Sequence, residues 1–334
     1  MTIRGNVRFL LLVVAATLAG CGGGGSSQTT APLTLSVTDS AIDSTTLQGV
    51  CIQFTGITVH YAGQPGDVSL PYQPLPSQVT PDTHCVTSAW NGMDPVPPVR
   101  LDALGGALTV ALADSLQVPT GRITWIRLHF SDSGSYVIDA QTGQQVVSCP
   151  SCEVTDNNTG RGFKLNRTFE VTSGGIALTV DVDLRSSMGK DASGFFLRPT
   201  ARIATDDTLG TIAGEVSSTL IPTDKLYNGQ TTETGCAVYV YAGHGATPDD
   251  FYDGSPVVTT ARVRYDTVSG TYRYAAGALV DSAAPGPEPY TVALTCDPDD
   301  PLTDDTMGAV VFTGTQDADV TAGTTWSAPF PPAP

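Results

Sequence analysis

Residues 50–61 read VCIQFTGITVHY, and the alternation in this stretch decides the fold class. Apolar residues occupy every second position up to Phe54, and after Gly56 the alternation resumes at Ile57 and runs to Tyr61. Successive side chains of a strand point to opposite faces, so a period of two predicts a strand with one buried face. A glycine between two alternating runs predicts a bulge or bend within one long strand.

The same alternation recurs along the chain, in LTLSVTD (33–39), ITWIRLHF (123–130) and IALTVDVDL (176–184). Short strands separated by turns rich in glycine and proline are typical of an all-β sandwich. The sequence has 35 glycines and 24 prolines, which supplies such turns. Only LDALGGALTVALAD (101–114) suits a short helix, and its paired glycines weaken that interpretation.

The strand at 176–184 carries charged residues on one predicted face. Asp181 and Asp183 alternate on that face, and Arg185 continues it. Two carboxylates on one face could act as an acid and a base. With an arginine next in the series, the pattern instead predicts a solvated sheet surface whose charges neutralise each other.

The strand pattern restarts near Leu209, which predicts two tandem β-sandwich domains at 32–208 and 209–326. A Pro-rich tail is expected at 327–334. The second domain is expected to be immunoglobulin-like or transthyretin-like, with seven strands at TIAGEV, CAVYVY, PVVTTARVRY, TYRYAAGAL, YTVALTC, GAVVFT and ADVTAG.

The N-terminus predicts export and a lipid anchor. Residues 1–20 combine two arginines with an apolar run too short to span a bilayer comfortably, as in a signal peptide. The run ends in LAGC, which resembles the lipobox of bacterial lipoproteins and implies that Cys21 is acylated. Residues 21–31 then form a Gly/Ser tether. By the same resemblance, Gly22 after the cysteine favours the outer membrane and an extracytoplasmic, lipid-anchored location.

The overall charge restricts the partners. The formal net charge is −17, so the chain repels phosphate backbones and nucleic acid is a poor partner. The membrane is therefore expected to be reached through the lipid on Cys21.

Six cysteines remain after Cys21, and an even number in an exported chain predicts disulfides. Six cysteines allow fifteen pairings. Two lie early, two are adjacent and two lie late, so the expected pairs are Cys51–Cys85, Cys149–Cys152 and Cys236–Cys296. The CPSC sequence at 149–152 also admits a redox site. A reactive CxxC needs a helix N-terminus, whereas this one is flanked by a strand and turn residues, which favours a structural disulfide.

One acidic loop is a candidate calcium site. The stretch DPDDPLTDD (297–305) crowds five carboxylates into one connection, namely Asp297, Asp299, Asp300, Asp304 and Asp305. Calcium favours flexible loops rich in oxygen ligands, but the spacing matches no EF-hand. The alternative is a solvated acidic loop. No other cofactor is expected.

Several segments stand in a characteristic order: LSVTDSAIDS, VCIQFTGITVHYAG, VRLDALGG, VPTGRITWIRLHF, GFKLNRTFEV, LTVDVDLRSSM and LRPTARI, ending in GTIAGEV. In this order they resemble bacterial lipoproteins that carry the domain of unknown function 4382, over roughly residues 33–216. The resemblance implies a β-rich extracytoplasmic module with no established reaction. The second half resembles carboxypeptidase-regulatory-like sandwiches, which are non-catalytic modules.

Three functions remain open. The sequence contains no nucleophile elbow, zinc-protease motif or P-loop. The anchor, the tandem sandwiches and the disulfides favour a non-catalytic envelope lipoprotein, a surface scaffold or a module that binds an envelope protein or glycan. The alternatives are an envelope hydrolase with an unrecognised site and a redox protein that uses the CPSC loop.

Overall fold

The computed structural model describes residues 29–40, 47–64, 66–105, 108–154, 161–229, 232–249, 257–280, 287–297 and 310–331. Strands account for 58% of the structure and helices for 7%, so the predicted all-β class is confirmed. Within the described residues, none of the helices has the length and the apolar run needed to span a bilayer.

The N-terminal region, residues 29–205, contains sixteen strands among its described residues. They are β1 (Thr30–Ser40), β2 (Leu47–Ile52), β3 (Phe54–Tyr61), β4 (Val68–Pro71), β5 (Val99–Arg100), β6 (Val110–Pro119), β7 (Gly121–Phe130), β8 (Tyr136–Asp139), β9 (Gly143–Ser148), β10 (Glu153–Val154), β11 (Arg161–Leu165), β12 (Phe169–Val171), β13 (Ile176–Asp183), β14 (Met188–Asp191), β15 (Gly194–Leu197) and β16 (Ala201–Thr205). A single α-helical turn, α1 (Leu184–Ser187), follows β13. Short 3₁₀ helices lie at Pro76–Gln78 and Leu101–Ala103 here, and at Asp206–Thr208, Ser218–Leu220 and Thr223–Lys225 farther on.

These strands form three sheets. Sheet 1 has the order β16-β13-β1-β6, and its central β1 and β13 are parallel. Sheet 2 has the order β10-β11-β7-β3-β4, and β12 also pairs with β7. Sheet 3 has the order β14-β15-β9-β8-β2-β5. Residues from all three sheets enclose one hydrophobic core that runs from Ala31 to Ile203.

The stretch that decides the fold class, residues 50–61, is two strands rather than one. The chain leaves β2 at Ile52 in sheet 3 and enters β3 at Phe54 in sheet 2. The expected bulge does occur near Gly56, where the register against β7 shifts between Phe54 and Gly56. A Cβ atom on Gly56 would lie 2.5 Å from the carbonyl oxygen of Leu70, so only glycine allows β4 to approach this closely.

The C-terminal region, residues 209–331, contains seven strands among its described residues. They are β17 (Leu209–Val216), β18 (Glu233–Ala242), β19 (Val257–Asp266), β20 (Thr271–Val280), β21 (Glu288–Thr295), β22 (Phe312–Val320) and β23 (Thr325–Ser327). All seven form one sheet, sheet 4, with the order β22-β21-β18-β19-β20-β17-β23. The edge strand β22 also contacts β17 and β23, so the sheet curls around its own core.

Two details of this region differ from the prediction. The segments GAVVFT and ADVTAG, predicted as two strands, contribute to the single strand β22, and the seventh strand is β23. Residues 327–331, assigned to a Pro-rich tail, instead continue along β17, where the Phe330 amide donates to the Glu215 carbonyl at 2.7 Å. Ala328 and Phe330 are buried in the core, because an apolar side chain at every second position suits an added strand.

The three disulfides join Cys51 to Cys85, Cys149 to Cys152 and Cys236 to Cys296, the pairs expected from the sequence. The hydrophobic clusters divide between Ile203 and Ile212, and each disulfide lies on one side of that interval. The predicted boundary at residue 209 falls inside it.

The two regions are in contact through polar groups. The guanidinium of Arg264 in β19 donates a hydrogen bond to the carbonyl of Ala103 at 3.1 Å. The guanidinium carbon of Arg185 in α1 lies 4.5 Å from the ring centre of Tyr239 in β18. Both Arg185 and Tyr239 are fully buried, so this contact excludes water.

The prediction of a solvated charged face on β13 is wrong, both in the exposure of its residues and in their partners. Asp181 is buried, and its carboxylate binds Arg202 of the neighbouring strand β16 at 2.6 Å. Asp183 caps helix α1 by accepting from the Ser186 amide at 3.1 Å. The chain turns into α1 after Asp183, so Arg185 does not continue the strand face.

Candidate binding surface

Most residues of the predicted calcium site and the lipidation site lie outside the described residues. Cys21 is one of them, as are Asp299, Asp300, Asp304 and Asp305. Asp297 is described, and its amide donates to the hydroxyl of Thr295 at 3.0 Å. In the part of the chain that the structure describes, no group of three His, Cys, Asp or Glu side chains is arranged to hold a metal ion.

The CPSC sequence forms a tight turn between β9 and β10. The amide of Cys152 donates to the Cys149 carbonyl at 3.2 Å, and both cysteines are buried in the core of the N-terminal region. A thiol of a redox partner has to reach a sulfur atom to exchange with it. Burial of both sulfurs disfavours that reaction.

A cluster of aromatic, cationic and imidazole side chains lies on the outer face of sheet 2. Trp125, Arg127 and His129 alternate along β7 and are half-buried, whereas Ile126 and Leu128 between them are fully buried in the core. The first three residues therefore project from the outer face of the sheet.

Neighbouring strands add two more side chains to this face. His60 in β3 lies directly opposite Trp125, and Lys164 in β11 lies directly opposite Arg127. We call the five side chains His60, Trp125, Arg127, His129 and Lys164 the Trp125 face. They come from three segments of the chain, and the register of sheet 2 alone brings them together.

Trp125 is the centre of the cluster. The His60 ring stacks beside it with a centroid distance of 4.9 Å and an interplanar angle of 2°. The Lys164 ammonium lies 4.5 Å from the centre of the Trp125 ring, and the Arg127 guanidinium carbon lies 5.2 Å from it. A cation within about 6 Å of an indole face is attracted by the ring quadrupole, so Trp125 fixes the position of two positive charges.

Two positive charges face each other across the β7–β11 pair. Like charges directly opposite on neighbouring strands are unfavourable, and the attraction of both Lys164 and Arg127 to the Trp125 ring offsets part of that cost. Gly162 makes room for the arginine, because a Cβ atom there would lie 2.8 Å from Cδ of Arg127. The strand thus accommodates a charge arrangement that an ordinary sheet surface avoids.

Hydrogen-bonding groups border the two cations. The imidazole Nδ1 of His60 lies 2.7 Å from the carboxylate of Asp67, which is 41% exposed. The hydroxyl of Thr58 shares a hydrogen bond of 2.7 Å with Nε2 of His129. The face therefore presents cationic donors, an accessible carboxylate, imidazole nitrogens and one planar ring.

The backbone of β7, the strand at the centre of this face, already has hydrogen-bonded neighbours on both sides. The central strand β7 pairs with β3 on one side and with β11 and β12 on the other. A ligand can therefore contact only side chains, as on a flat binding platform. The Thr58 hydroxyl does lie beside an imidazole, that of His129, but Thr58 is only 7% exposed, so a substrate has little access to its oxygen.

The two histidines outside this face have local partners. His84 is buried and lies between the hydroxyls of Tyr72 and Thr83, each 2.9 Å from a ring nitrogen. Burial lowers the pKa of His84 to about 4, so the ring is neutral at pH 7. His244 lies 3.0 Å from Asp319 on the surface of the C-terminal region.

Comparison with solved structures gives matches at very low similarity. A proposed cell adhesion protein from Bacteroides fragilis is 9% identical, with 89% of this chain and 91% of that chain covered and a TM-score of 0.21. A proposed adhesin from Bacteroides ovatus is also 9% identical, with 94% and 100% covered and a TM-score of 0.18. Such low structural overlap carries no inference for this chain. A comparison with curated proteins finds no match.

A family model, in contrast, matches half of the chain. It is described as a domain of unknown function, DUF4382, and it covers residues 30–199. The match includes all five side chains of the Trp125 face and ends before the hydrophobic clusters divide. The chain therefore belongs to the family of the domain of unknown function DUF4382.

Proposed function

We propose that this chain is a non-catalytic lipoprotein of the bacterial outer membrane that binds an envelope component through the Trp125 face. The observation that carries the proposal is the pair of cations held over Trp125 on an open sheet face. The Trp125 ring holds both charges at the sheet surface, and Lys164 is exposed, so a ligand with hydrogen-bond acceptors can reach its ammonium.

The C-terminal region fits the role of a supporting module. We propose that it is a carboxypeptidase-regulatory-like sandwich, and that residues 32–208 and 209–331 are separate domains held together by their polar contacts. The fully buried pair Arg185 and Tyr239 fixes part of that contact. A fixed junction would hold the Trp125 face at a constant orientation relative to the rest of the chain.

The two other functions have less support. A redox role requires access to the Cys149–Cys152 disulfide, which is buried. A hydrolase requires a nucleophile or an activated water beside a base. His60 already contacts Asp67 and Trp125, and His84 is enclosed by Tyr72 and Thr83.

Anchoring is tested on the protein expressed with its own N-terminus in a Gram-negative host. We expect it in the outer-membrane fraction, and mass spectrometry should find a diacylglycerol thioether on Cys21. A soluble periplasmic product, or one with residue 21 unmodified, would contradict the anchor. Cys21→Ser should release the chain from the membrane fraction.

Binding is tested by adding the Cys21→Ser chain, which cannot insert through a lipid, to isolated cell envelopes and measuring the sedimented fraction. We expect Lys164→Gln to reduce binding strongly. Lys190→Gln is the matched control, because the Lys190 ammonium also lies 4.5 Å over an aromatic ring, that of Phe195, but on sheet 3. Equal binding by both variants would show that the Trp125 face is not the binding surface.

A further inference from the structure

We propose that His60 makes binding at the Trp125 face depend on pH, so that the face binds its partner more tightly at acid pH. This inference rests on the proposed function, because it specifies the regulation of the same surface. It is carried by the position of the imidazole, which contacts a carboxylate and also the ring that fixes two cations. Histidine is the side chain that ordinarily gains a proton and a positive charge between pH 8 and pH 5.

The contact with Asp67 determines which nitrogen of neutral His60 carries the proton. The Nδ1 atom of His60 lies 2.7 Å from the Asp67 carboxylate, and among the described residues this is the only hydrogen-bonding partner of the ring. An ionised carboxylate can only accept hydrogen bonds, so Nδ1 donates and Nε2 carries no proton. The His60 side chain is 34% exposed. In the neutral state it therefore offers a ligand a hydrogen-bond acceptor, on the same face as the donors of Lys164.

Protonation reverses the role of Nε2. An imidazolium donates from both ring nitrogens, so Nε2 then donates where it accepted before. Its positive charge also strengthens the hydrogen bonds that it makes. In the protonated state His60 and Lys164 both donate, whereas in the neutral state one accepts and the other donates. A partner that presents hydrogen-bond acceptors to this face therefore binds more tightly when His60 is protonated.

The stack on Trp125 holds the His60 ring in place in both states. The two rings are nearly parallel, and their centroids are 4.9 Å apart. A neutral imidazole packs against the indole as one aromatic ring against another, and an imidazolium is attracted by the negative face of the indole. The Asp67 carboxylate attracts the charged ring as well. Protonation therefore changes the hydrogen-bonding chemistry of the face while its shape is kept.

The charged groups that face His60 come from each neighbouring element of the sheet. Asp67 lies immediately before β4, Arg127 lies in β7 and Lys164 lies in β11. The His60 ring and the Lys164 ammonium both contact Trp125, so they lie less than about 10 Å apart, which is one screening length at 0.1 M salt. A single proton on His60 therefore changes the electrostatic potential that a ligand meets at Lys164.

A second histidine–carboxylate pair provides a matched control. Nε2 of His244 lies 3.0 Å from the carboxylate of Asp319, and both side chains are exposed to nearly the same degree as His60 and Asp67. His244 belongs to the C-terminal region and lies outside the Trp125 face. It repeats the imidazole–carboxylate contact of His60 on a different surface, so an effect of pH that belongs to the Trp125 face must persist when His244 is replaced.

The proton on His60 can be followed through the fluorescence of Trp125. The sequence has three tryptophans, so Trp90→Phe and Trp326→Phe leave Trp125 as the only emitting indole. An imidazolium in contact with an excited indole accepts an electron from it, so the emission should fall between pH 8 and pH 5. His60→Gln should abolish that fall, and His244→Gln should keep it. A constant emission, or the same fall without His60, would overturn the role of this contact.

The consequence for binding is tested with isolated cell envelopes at pH 8 and pH 5, at one salt concentration, with the Cys21→Ser chain as the parent. We expect binding at pH 5 to be about threefold to tenfold tighter, the range that one hydrogen bond contributes. His60→Gln should remove that increase, and His244→Gln should keep it. Thermal melts at both pH values confirm that each variant is folded.

The outcomes separate this inference from the proposed function. If Lys164→Gln weakens binding at both pH values while the parent binds equally at the two, the proposed function stands and the regulation by pH is wrong. If binding tightens at pH 5 to the same extent without His60, another group is responsible and the inference is wrong. If Lys164→Gln binds as tightly as the parent, the proposed function is wrong and this inference fails with it.

Discussion

The guanidinium of Arg185 lies 4.5 Å from the ring centre of Tyr239, and neither side chain is accessible to water. Arg185 belongs to the helical turn after β13, and Tyr239 belongs to the central part of β18. The pair therefore joins the N-terminal and C-terminal regions. A cation over an aromatic ring contributes about 2 kcal/mol or more when the contact is dry.

Arg185→Ala should accordingly lower the free energy of unfolding by at least about 2 kcal/mol. The measurement is urea denaturation followed by tryptophan fluorescence. Arg198→Ala is the control, because Arg198 makes the same type of contact with Phe196 on the surface, where it is worth under about 1 kcal/mol. A double-mutant cycle of Arg185→Ala with Tyr239→Leu should show a coupling of about 2 kcal/mol. Additive effects would mean that the two residues do not stabilise the junction through each other.

The sequence could not place Arg185 in this contact. Alternation along IALTVDVDL correctly predicts a strand, and Val180 and Val182 are buried as expected. The same alternation assigns Asp181 to a solvated face, although it is buried. Alternation distinguishes two faces, but it cannot tell whether the polar face meets water or another part of the protein. Arg202, the partner of Asp181, lies 21 residues away, and only the register of β13 against β16 brings it there.

His84 gives the chain a defined dependence on pH. Its pKa in the folded protein is lowered to about 4 by burial, against 6.5 in the unfolded chain. Between these values the unfolded chain binds a proton that the folded chain does not, so the free energy of unfolding falls as the pH falls. The contribution is fully present above about pH 6.5, and about 3 kcal/mol is lost by pH 4.

This effect is isolated by comparing the wild type with His84→Gln at several pH values from 7.5 to 4. Burial raises the pKa values of Asp39 and Asp102, so these two residues increase the free energy of unfolding as the pH falls. They do so in both proteins, and the wild-type curve by itself would therefore not show the effect of His84. The difference between the two proteins removes their contribution. We expect that difference to shrink toward acid pH. A constant difference, or the same slope in the exposed variant His244→Gln, would contradict the assignment to His84.

The candidate binding surface could be predicted only partly from the sequence. ITWIRLHF predicts a strand whose polar face carries Trp125, Arg127 and His129. The contribution of His60 and Lys164 depends on the register of β3 and β11 against β7, and no local pattern encodes that register. The disulfide pairs could be proposed from the spacing of the cysteines, because each pair closes a loop within one region.

Those loops differ in length, which predicts a ranking of stability. The Cys236–Cys296 disulfide spans 60 residues and Cys149–Cys152 spans three. In the chain-entropy model, a 60-residue loop contributes about 4 kcal/mol and a three-residue loop under about 2 kcal/mol. Replacing both cysteines of each pair by alanine should reproduce that order in urea denaturation. A larger loss from the CPSC pair would show that its main contribution is packing in the core, where both cysteines are buried.

The C-terminal segment supports the last prediction, because its backbone passes directly over Gly214. A Cβ atom on Gly214 would lie 2.3 Å from the carbonyl oxygen of Ala328 and 2.8 Å from the nitrogen of Pro329. The same carbonyl accepts a hydrogen bond from the Tyr274 hydroxyl at 2.6 Å, so it cannot move without losing that partner. Gly214→Ala should therefore lower the free energy of unfolding by about 1–3 kcal/mol, the usual cost of overpacking.

Phe330→Ala should cost about 3–5 kcal/mol, as expected for a buried phenylalanine, and deletion of residues 327–334 should cost at least as much. Gly66→Ala is the matched control, since a Cβ atom there meets nothing within 4 Å. Thermal and urea unfolding of the full chain measure all four variants. If these residues were an external tail, the deletion and Gly214→Ala would be as harmless as Gly66→Ala. A loss confined to the first three variants would instead show that the Pro-rich end completes the core of the C-terminal region, as the burial of Ala328 and Phe330 requires.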